Sequence, residues 1–198
     1  MIAIVDLGIG NLSNVEKVLK GTITDDPYEI EKADKLVVPG VGNFTTAKER
    51  LEPLKGTVTD FIDDGKPYLG ICLGMQVLFG YNEEGETEGL GILDGEVRKV
   101  DGVSSPHIGW NTVNFLSESE LYSGIRDGAF FYFVHSYYVD TEGIVIGETE
   151  FSHGRDKKTF PAVVNSDNIY GTQFHPEKSG DVGIRLLKNF RRIGCEGR

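Results

Sequence analysis

Residues 68–76 read Tyr-Leu-Gly-Ile-Cys-Leu-Gly-Met-Gln, and this stretch decides the expected fold. Tyr68–Ile71 has the pattern of a buried strand and Leu73–Phe79 that of a helix, so the chain turns sharply at Cys72. Such a turn crowds the positions two residues before and two after its corner, and glycine occupies both. The pattern predicts an exposed, strained Cys72 at a helix N-terminus, where the helix dipole and the next backbone N–H stabilise a thiolate. A buried cysteine between two packing glycines is the alternative.

The chain on either side of this turn predicts a mixed α/β fold. The first half alternates strands with helices, which is typical of a parallel sheet with helices on both faces. Its other predicted elements are strands at 1–5 and 35–38 and helices at about 12–20, 47–54 and 57–64. The second half contains short strands that favour antiparallel pairing, at 96–100, 112–115, 129–134, 144–150, 160–164 and 169–174. An amphipathic helix over 180–193 follows, the acidic stretch 81–89 is expected to be a solvated loop, and residues 1–198 are expected to form one domain.

Composition narrows the functional classes. The 198 residues include 20 Lys and Arg against 31 Asp and Glu, a formal net charge of −11. This balance argues against binding of nucleic acid or anionic membranes. We find neither an apolar run of the roughly 20 residues that a membrane span needs nor a signal-peptide pattern. The two cysteines, Cys72 and Cys195, make no disulfide framework, so we expect a protein of the reducing cytoplasm.

The strand predicted to end near Phe174 offers a base for Cys72. His175 and Glu177 are two residues apart, so on a strand they project to the same side. Glu177 can then accept the Nδ1 proton of His175 and leave Nε2 facing a thiol. That arrangement is the Cys–His–carboxylate triad of acyl transfer. Taken without the Cys72 turn, the two residues are better interpreted as a solvated strand end.

Two glycine clusters follow predicted strands in the first half. Residues 39–42, Pro-Gly-Val-Gly, leave the backbone N–H groups of Val41 and Gly42 open to a ligand. One of them, together with the N–H of Leu73, can form an oxyanion hole. The second cluster, residues 8–11, resembles a phosphate loop but lacks the third glycine and the lysine that such loops use, which disfavours a nucleotide site.

Six motifs in order then identify a family resemblance. Residues 39–42, 70–76 and 173–179 resemble the class I, triad-type glutamine amidotransferases. Residues 5–12 (Val-Asp-Leu-Gly-Ile-Gly-Asn-Leu), 106–111 (Pro-His-Ile-Gly-Trp-Asn) and 132–138 (Tyr-Phe-Val-His-Ser-Tyr-Tyr) are similar within that class to the glutaminase subunits of imidazole glycerol phosphate synthase. The resemblance spans Val5 to about Asn189.

The resemblance implies a role for each matched residue. Cys72 would attack the glutamine side-chain amide and form a thioester, while His175, oriented by Glu177, would protonate the leaving ammonia and then activate water. The residues expected to hold glutamine are Gln76, His135, Ser136 and Tyr137. No metal and no organic cofactor is implied, and the four histidines show no ligand spacing.

The resemblance also implies a partner. The ammonia would pass to a (β/α)₈-barrel cyclase in a heterodimer that serves histidine biosynthesis. Asn11, Trp110 and Lys178 match positions expected to face it, and residues 106–109 favour an ordered surface turn beside Trp110. A ligand on the partner could switch the glutaminase on if residues 39–42 must rearrange to aim an N–H at the oxyanion.

Three other functions are compatible with parts of the pattern. The chain could be a class I glutaminase serving another barrel-type synthase, which only the last three motifs argue against. It could be a regulatory subunit with an inactive triad, although Cys72, His175 and Glu177 are all present. It could also be a cysteine peptidase or esterase on a similar sheet, which would cleave its substrate without a partner.

Overall fold

The structure, a computed structural model, describes residues 1–8, 12–101, 105–153 and 156–194. Up to Gln76 it alternates strands and helices as predicted. The elements of this half are β1 (Ile2–Val5), α1 (Leu12–Leu19), β2 (Thr22–Thr24), α2 (Pro27–Lys32), β3 (Lys35–Gly40), α3 (Phe44–Leu51), α4 (Lys55–Asp63), β4 (Tyr68–Cys72) and α5 (Leu73–Gln76). The prediction missed β2 and α2, and it stopped β3 two residues early.

The second half is dominated by strands. They are β5 (Phe79–Asn82), β6 (Thr87–Glu88), β7 (Leu93–Lys99), β8 (His107–Phe115), β9 (Ala129–His135), β10 (Tyr137–Asp140), β11 (Val145–His153), β12 (Asp156–Ser166) and β13 (Ile169–Thr172). Helix α6 (Gly180–Arg192) follows, as expected. The predicted loop at 81–89 is wrong, because it contains the hairpin of β5 and β6. The predicted surface turn at 106–109 is also wrong, because His107 already begins β8.

A nine-stranded sheet organises the described residues, in the order β2-β1-β3-β4-β13-β12-β11-β8-β9. The strands from β2 to β13 pair in parallel. The pairs from β13 to β9 are antiparallel. The predicted parallel first half is therefore confirmed, and so is the mainly antiparallel second half, except that β13 pairs in parallel with β4 and β7 in parallel with β5. A second sheet, β10-β7-β5-β6, was not predicted.

Alternating residues of the parallel strands pack into two separate cores. Ala3 and Val5 join the side chains of α2, α3 and α4 on one face of the sheet. Ile4 packs on the other face with α1 and α6. Strands covered on both faces are continuously apolar, and all four residues of β1 are buried. Helices on both faces were expected from the sequence, and the structure confirms them.

The carboxyl ends of three neighbouring parallel strands meet at one edge of this sheet. Gly40, the last residue of β3, lies opposite Cys72, the last residue of β4. On the other side of β4, Thr172 ends β13 opposite Ile71. In open parallel sheets this edge is where ligands bind. The predicted oxyanion-hole residues Val41 and Gly42 follow β3, the predicted nucleophile Cys72 ends β4, and the predicted base His175 follows β13.

Candidate active site

The turn from β4 into α5 has the strained geometry predicted from its sequence. Cys72 has a φ of +53°, a left-handed conformation that costs a residue other than glycine about 1–3 kcal/mol. The flanking glycines are sterically required. A Cβ on Gly70 would lie 2.4 Å from the Gly74 carbonyl oxygen, and a Cβ on Gly74 would lie 1.6 Å from that of Val38. The surrounding backbone therefore holds Cys72 in this conformation.

Two details of the turn correct the sequence analysis. The predicted exposure of Cys72 is wrong. Its side chain is only 4% exposed, because it lies at the base of a pocket. Helix α5 ends at Gln76 and not at Phe79, because Phe79 pairs with Leu93 in the second sheet. A single helical turn has a far smaller aligned dipole than the predicted helix. Stabilisation of a thiolate must therefore come mainly from other groups.

His175 and Glu177 are in contact, although the strand that was expected to align them ends earlier, at Thr172. His175 instead precedes the short 3-10 turn Pro176–Lys178. Its Nδ1 lies 2.8 Å from Glu177 Oε1. The two side chains are 2% and 3% exposed, so water barely screens their interaction. The turn thus brings the two residues together where a strand had been predicted to do so.

The pKa of His175 rises from 6.5 to about 9. Burial alone would lower this pKa, because it disfavours the charged ring. Interactions with Cys72 and with Glu177 favour the imidazolium and outweigh burial. His175 is therefore protonated at neutral pH. Its Nε2 is buried and makes no hydrogen bond of ordinary geometry within the described residues, so this proton is available for transfer.

A cavity of about 260 Å³ opens above Cys72. The three residues predicted for an oxyanion hole, Val41, Gly42 and Leu73, all line it. So do the four residues predicted to hold substrate, Gln76, His135, Ser136 and Tyr137. The structure therefore brings every predicted residue of the pocket around the cysteine.

His135 differs from the other predicted substrate ligands, because protein groups already occupy both of its ring nitrogens. Its Nδ1 lies 2.8 Å from the Tyr137 carbonyl oxygen and its Nε2 lies 3.0 Å from His107 Nδ1. Burial lowers the pKa of His135 to about 3 and that of His107 to about 4, so both rings are neutral. His135 thus forms part of the pocket wall with no ring nitrogen left for a ligand.

Two residues near Cys72 were missed by sequence reasoning. Glu84 lines the pocket, and its carboxylate accepts hydrogen bonds from Phe44 N (2.8 Å) and Asn43 Nδ2 (3.3 Å). It belongs to the stretch that was interpreted as a solvated loop. Gln173 is fully buried, and its Nε2 lies 3.5 Å from Cys72 Sγ. Its place two residues before His175, within residues 173–179, was a signal that could have identified it.

Of the three residues predicted to face a partner, Trp110 and Lys178 are among the described residues, and both lie close to the active site. Trp110 is 55% exposed on β8 and pairs in register with Tyr132 on β9. The Tyr132 carbonyl oxygen accepts a hydrogen bond from His175 N (2.8 Å). Lys178, half-buried, ends the turn that begins after His175. Asn11 lies outside the described residues.

No group of three or more His, Cys, Asp or Glu side chains within the described ranges is arranged to hold a metal ion. Among the helices described, none has the length and apolar character needed to cross a membrane.

Solved structures and a family model define the class. A crystal structure of a glutamine amidotransferase covers 96% of this chain and 98% of its own, with a TM-score of 0.72 at 18% identity. PurLQS from Thermotoga maritima covers 96% of both chains, with a TM-score of 0.68 at 16% identity. Both show the fold alone. The family model "Glutamine amidotransferase class-I" matches residues 11–193. The fold and the sequence therefore define a class I glutamine amidotransferase.

Curated relatives narrow the family. Imidazole glycerol phosphate synthase subunit HisH of Thermococcus kodakarensis is 56% identical over 195 residues, which cover 98% of this chain and 100% of that protein. The subunit HisH of Pyrococcus furiosus is 53% identical over 195 residues, 97% of this chain and 98% of the relative. The chain belongs to the class I glutamine amidotransferase family and, within it, to the HisH subunits of imidazole glycerol phosphate synthase.

Proposed function

We propose that this chain is the glutaminase subunit of an imidazole glycerol phosphate synthase of histidine biosynthesis. It hydrolyses glutamine to glutamate and ammonia and passes the ammonia to a cyclase partner, which makes imidazole glycerol phosphate and aminoimidazole carboxamide ribonucleotide. The observation on which the proposal rests is the buried contact of His175 with Glu177 beside the strained Cys72, in a chain of this family. The reducing cytoplasm expected from the sequence would keep the Cys72 thiol free to react.

The triad would run the reaction in two halves. The Cys72 thiolate attacks the side-chain amide carbon of glutamine, and the N–H of Leu73 with that of Val41 or Gly42 stabilises the oxyanion. The tetrahedral intermediate expels ammonia, which takes its proton from His175 Nε2. A water molecule then gives a proton to His175 and attacks the thioester. Glutamate leaves, and the thiolate and imidazolium are restored.

The pocket supplies groups that suit the glutamine head. Among the described residues that line the pocket, Glu84 is the one carboxylate. Phe44 N, at the start of α3, and Asn43 Nδ2, just before α3, hold this carboxylate in place. It suits the α-ammonium of the substrate. Gln76, Ser136 and Tyr137 would bind the remaining polar groups of glutamine. His135 would act from the wall by fixing the Tyr137 carbonyl oxygen.

The partner would dock on the outward face of β8 and β9. Ile108, Trp110 and Phe130 are 57%, 55% and 54% exposed on this one face, and such a cluster of exposed apolar side chains is typical of a protein interaction site. Trp110 also meets the Tyr132 ring edge-on, with centroids 6.1 Å apart. A (β/α)₈-barrel cyclase covering these residues would form a heterodimer. The hydrogen bond that His175 N donates to Tyr132 O would then connect the docking face directly with the triad.

Glutamate release tests the proposal. The chain is assayed alone and with the cyclase subunit carrying its nucleotide ligand. We expect the liganded complex to release glutamate much faster than the chain alone, since the partner would help residues 39–42 to reach the oxyanion geometry. Fast hydrolysis by the isolated chain would contradict the partner's role. No hydrolysis by either would contradict the glutaminase function.

Replacement of the nucleophile provides the second test. Cys72→Ala should abolish glutamine-dependent synthesis by the complex and leave ammonia-dependent synthesis largely intact, because ammonia bypasses the thioester. Both activities are measured on the same complex. If added ammonia does not rescue synthesis, Cys72 has a structural role and the proposed chemistry is wrong.

A further inference from the structure

The Cys72 sulfur has a neutral hydrogen-bond donor that the triad does not include. Helix α5 is one turn long and contributes little dipole stabilisation. Gln173 Nε2, however, lies 3.5 Å from Cys72 Sγ, an ordinary length for an N–H···S hydrogen bond. The Gln173 side chain is fully buried. A buried amide N–H in this position favours a charged acceptor over a neutral thiol.

A second amide determines which end of Gln173 faces the sulfur. Gln76 Nε2 lies 3.0 Å from the Tyr137 carbonyl oxygen and 3.1 Å from Gln173 Oε1. A backbone carbonyl oxygen only accepts, so the Gln76 atom that meets it must be the NH₂ group. The other hydrogen of this NH₂ then requires an acceptor, which fixes Oε1 of Gln173 on the Gln76 side. The NH₂ group of Gln173 therefore points to Cys72.

Two neutral histidines support the Tyr137 carbonyl oxygen: His135 bonds to it directly, and His107 bonds to His135. His135 Nδ1 must carry a proton, since it lies 2.8 Å from Tyr137 O. Its neutral ring then accepts at Nε2 from His107 Nδ1. His107 Nε2 in turn accepts from Asn111 Nδ2 at 3.3 Å. Each of these bonds joins a donor to an acceptor, and the Tyr137 carbonyl oxygen, through the NH₂ group of Gln76, permits only one orientation of the Gln173 amide.

We propose that Gln173 is a positioning residue that stabilises and orients the Cys72 thiolate through its fixed N–H donor. The inference rests on the proposed function, because it assigns Gln173 to the same reaction. Gln173 does not transfer a proton. It holds the sulfur for attack while His175 keeps its Nε2 proton for the leaving group.

Alkylation of Cys72 measures this effect without glutamine. The rate of reaction with iodoacetamide, in which the thiolate sulfur displaces iodide, is followed against pH in a Cys195→Ser background. Gln173→Met keeps the length of the side chain and removes the donor. A hydrogen bond to a charged group is worth about one pH unit, so we expect the half-maximal rate to move up by about that much. At lower pH the variant should react about tenfold more slowly.

Thr172→Val is the matched control. Thr172 is equally buried, adjacent in sequence, and donates its hydrogen bond to Phe174 O (3.1 Å). Its alkylation profile should equal that of the parent chain. Gln173→Glu places a carboxylate oxygen near the sulfur and should move the profile further than Gln173→Met. It also serves as the test if the methionine variant does not fold.

The outcomes separate the two proposals. A parental profile in a folded Gln173 variant overturns the role of Gln173, whatever the glutaminase activity. A shifted profile in a chain that never hydrolyses glutamine supports Gln173 as a thiolate donor and contradicts the proposed function. An equal shift in Thr172→Val shows a general packing effect and also overturns the inference.

Discussion

Three buried histidines fall into two kinds. The pKa of His175 is raised, whereas the pKa values of His107 and His135 are lowered. Burial lowers the pKa of His107 to about 4 and that of His135 to about 3, where their partners are neutral. His175 is equally buried, yet its pKa rises to about 9 beside Cys72 and Glu177. The comparison shows that burial alone does not decide protonation. Two groups that can be anionic make one buried ring an acid, while neutral acceptors make the other two rings structural links.

The largest effect should come from removing the charged imidazole. His175→Ala removes the proton donor and general base, so we expect the glutaminase kcat of the complex to fall by roughly 10²–10⁴. Glu177→Gln should cost less, because the ring can still act when it is poorly oriented. The same variant should lower the pKa of His175, since the carboxylate helps to raise it.

Steady-state kinetics of both variants and an NMR titration of His175 provide the measurements. Equal losses in the two variants would mean that Glu177 does more than orient the ring. If the pKa of His175 is unchanged in Glu177→Gln, Glu177 does not raise it, and the difference between His175 and the His107–His135 pair has another cause.

An intermediate effect, on binding of the cyclase, is expected at the outward face of β8 and β9. Trp110→Ala should weaken binding of the cyclase by about 2 kcal/mol, roughly 30-fold in Kd, as for an aromatic residue at the centre of an interface. Calorimetry of complex formation measures this change. Tyr28→Ala is the control, because Tyr28 is 60% exposed on α2, which follows the opposite edge strand β2. Equal binding by the two variants would place the partner elsewhere.

The smallest effect concerns stability at acid pH. The unfolded chain binds more protons than the folded chain between the lowered pKa values of His107 and His135 and the ordinary value of 6.5. The free energy of unfolding should therefore fall as the pH falls through this range. His107→Asn keeps a donor toward His135 and should reduce the slope by about 1.4 kcal/mol per pH unit at most.

Urea unfolding at several pH values measures that slope. His175 contributes with the opposite sign, because its raised pKa adds stability that is lost as the pH rises toward 9. An unchanged acid slope in His107→Asn would mean that His107 is already charged in the folded chain. His107 would then no longer contrast with His175 as a buried, neutral ring.

Sequence predicted the parts of the fold that local patterns determine. The parallel strands near Cys72 are continuously apolar, and Gly70 and Gly74 mark the turn between them and α5. These signals depend on neighbouring residues alone, so they could be interpreted without the rest of the chain. The predicted pocket residues are brought together because the carboxyl ends of parallel strands share one edge.

The features that sequence missed depend on distant pairing. Phe79 has the pattern of a helix end, but its pairing with Leu93 places it in a sheet. Residues 106–109 resemble a turn, yet β8 pairs with β9 from His107 onward. The burial of Cys72 and the contact of Gln173 with its sulfur also arise from packing between segments about 100 residues apart. Helix α2 is different, since Asp26 before Pro27 is a local cap signal that could have been used.

Covalent capture of the nucleophile tests the central claim most directly. The complex with the cyclase subunit is incubated with a glutamine analogue that bears a chloroketone in place of the side-chain amide, and its peptides are mapped by mass. We predict one label per chain, on Cys72, that glutamine prevents and that His175→Ala slows. A label on Cys195, or no label while the complex still releases glutamate, would contradict the role of Cys72.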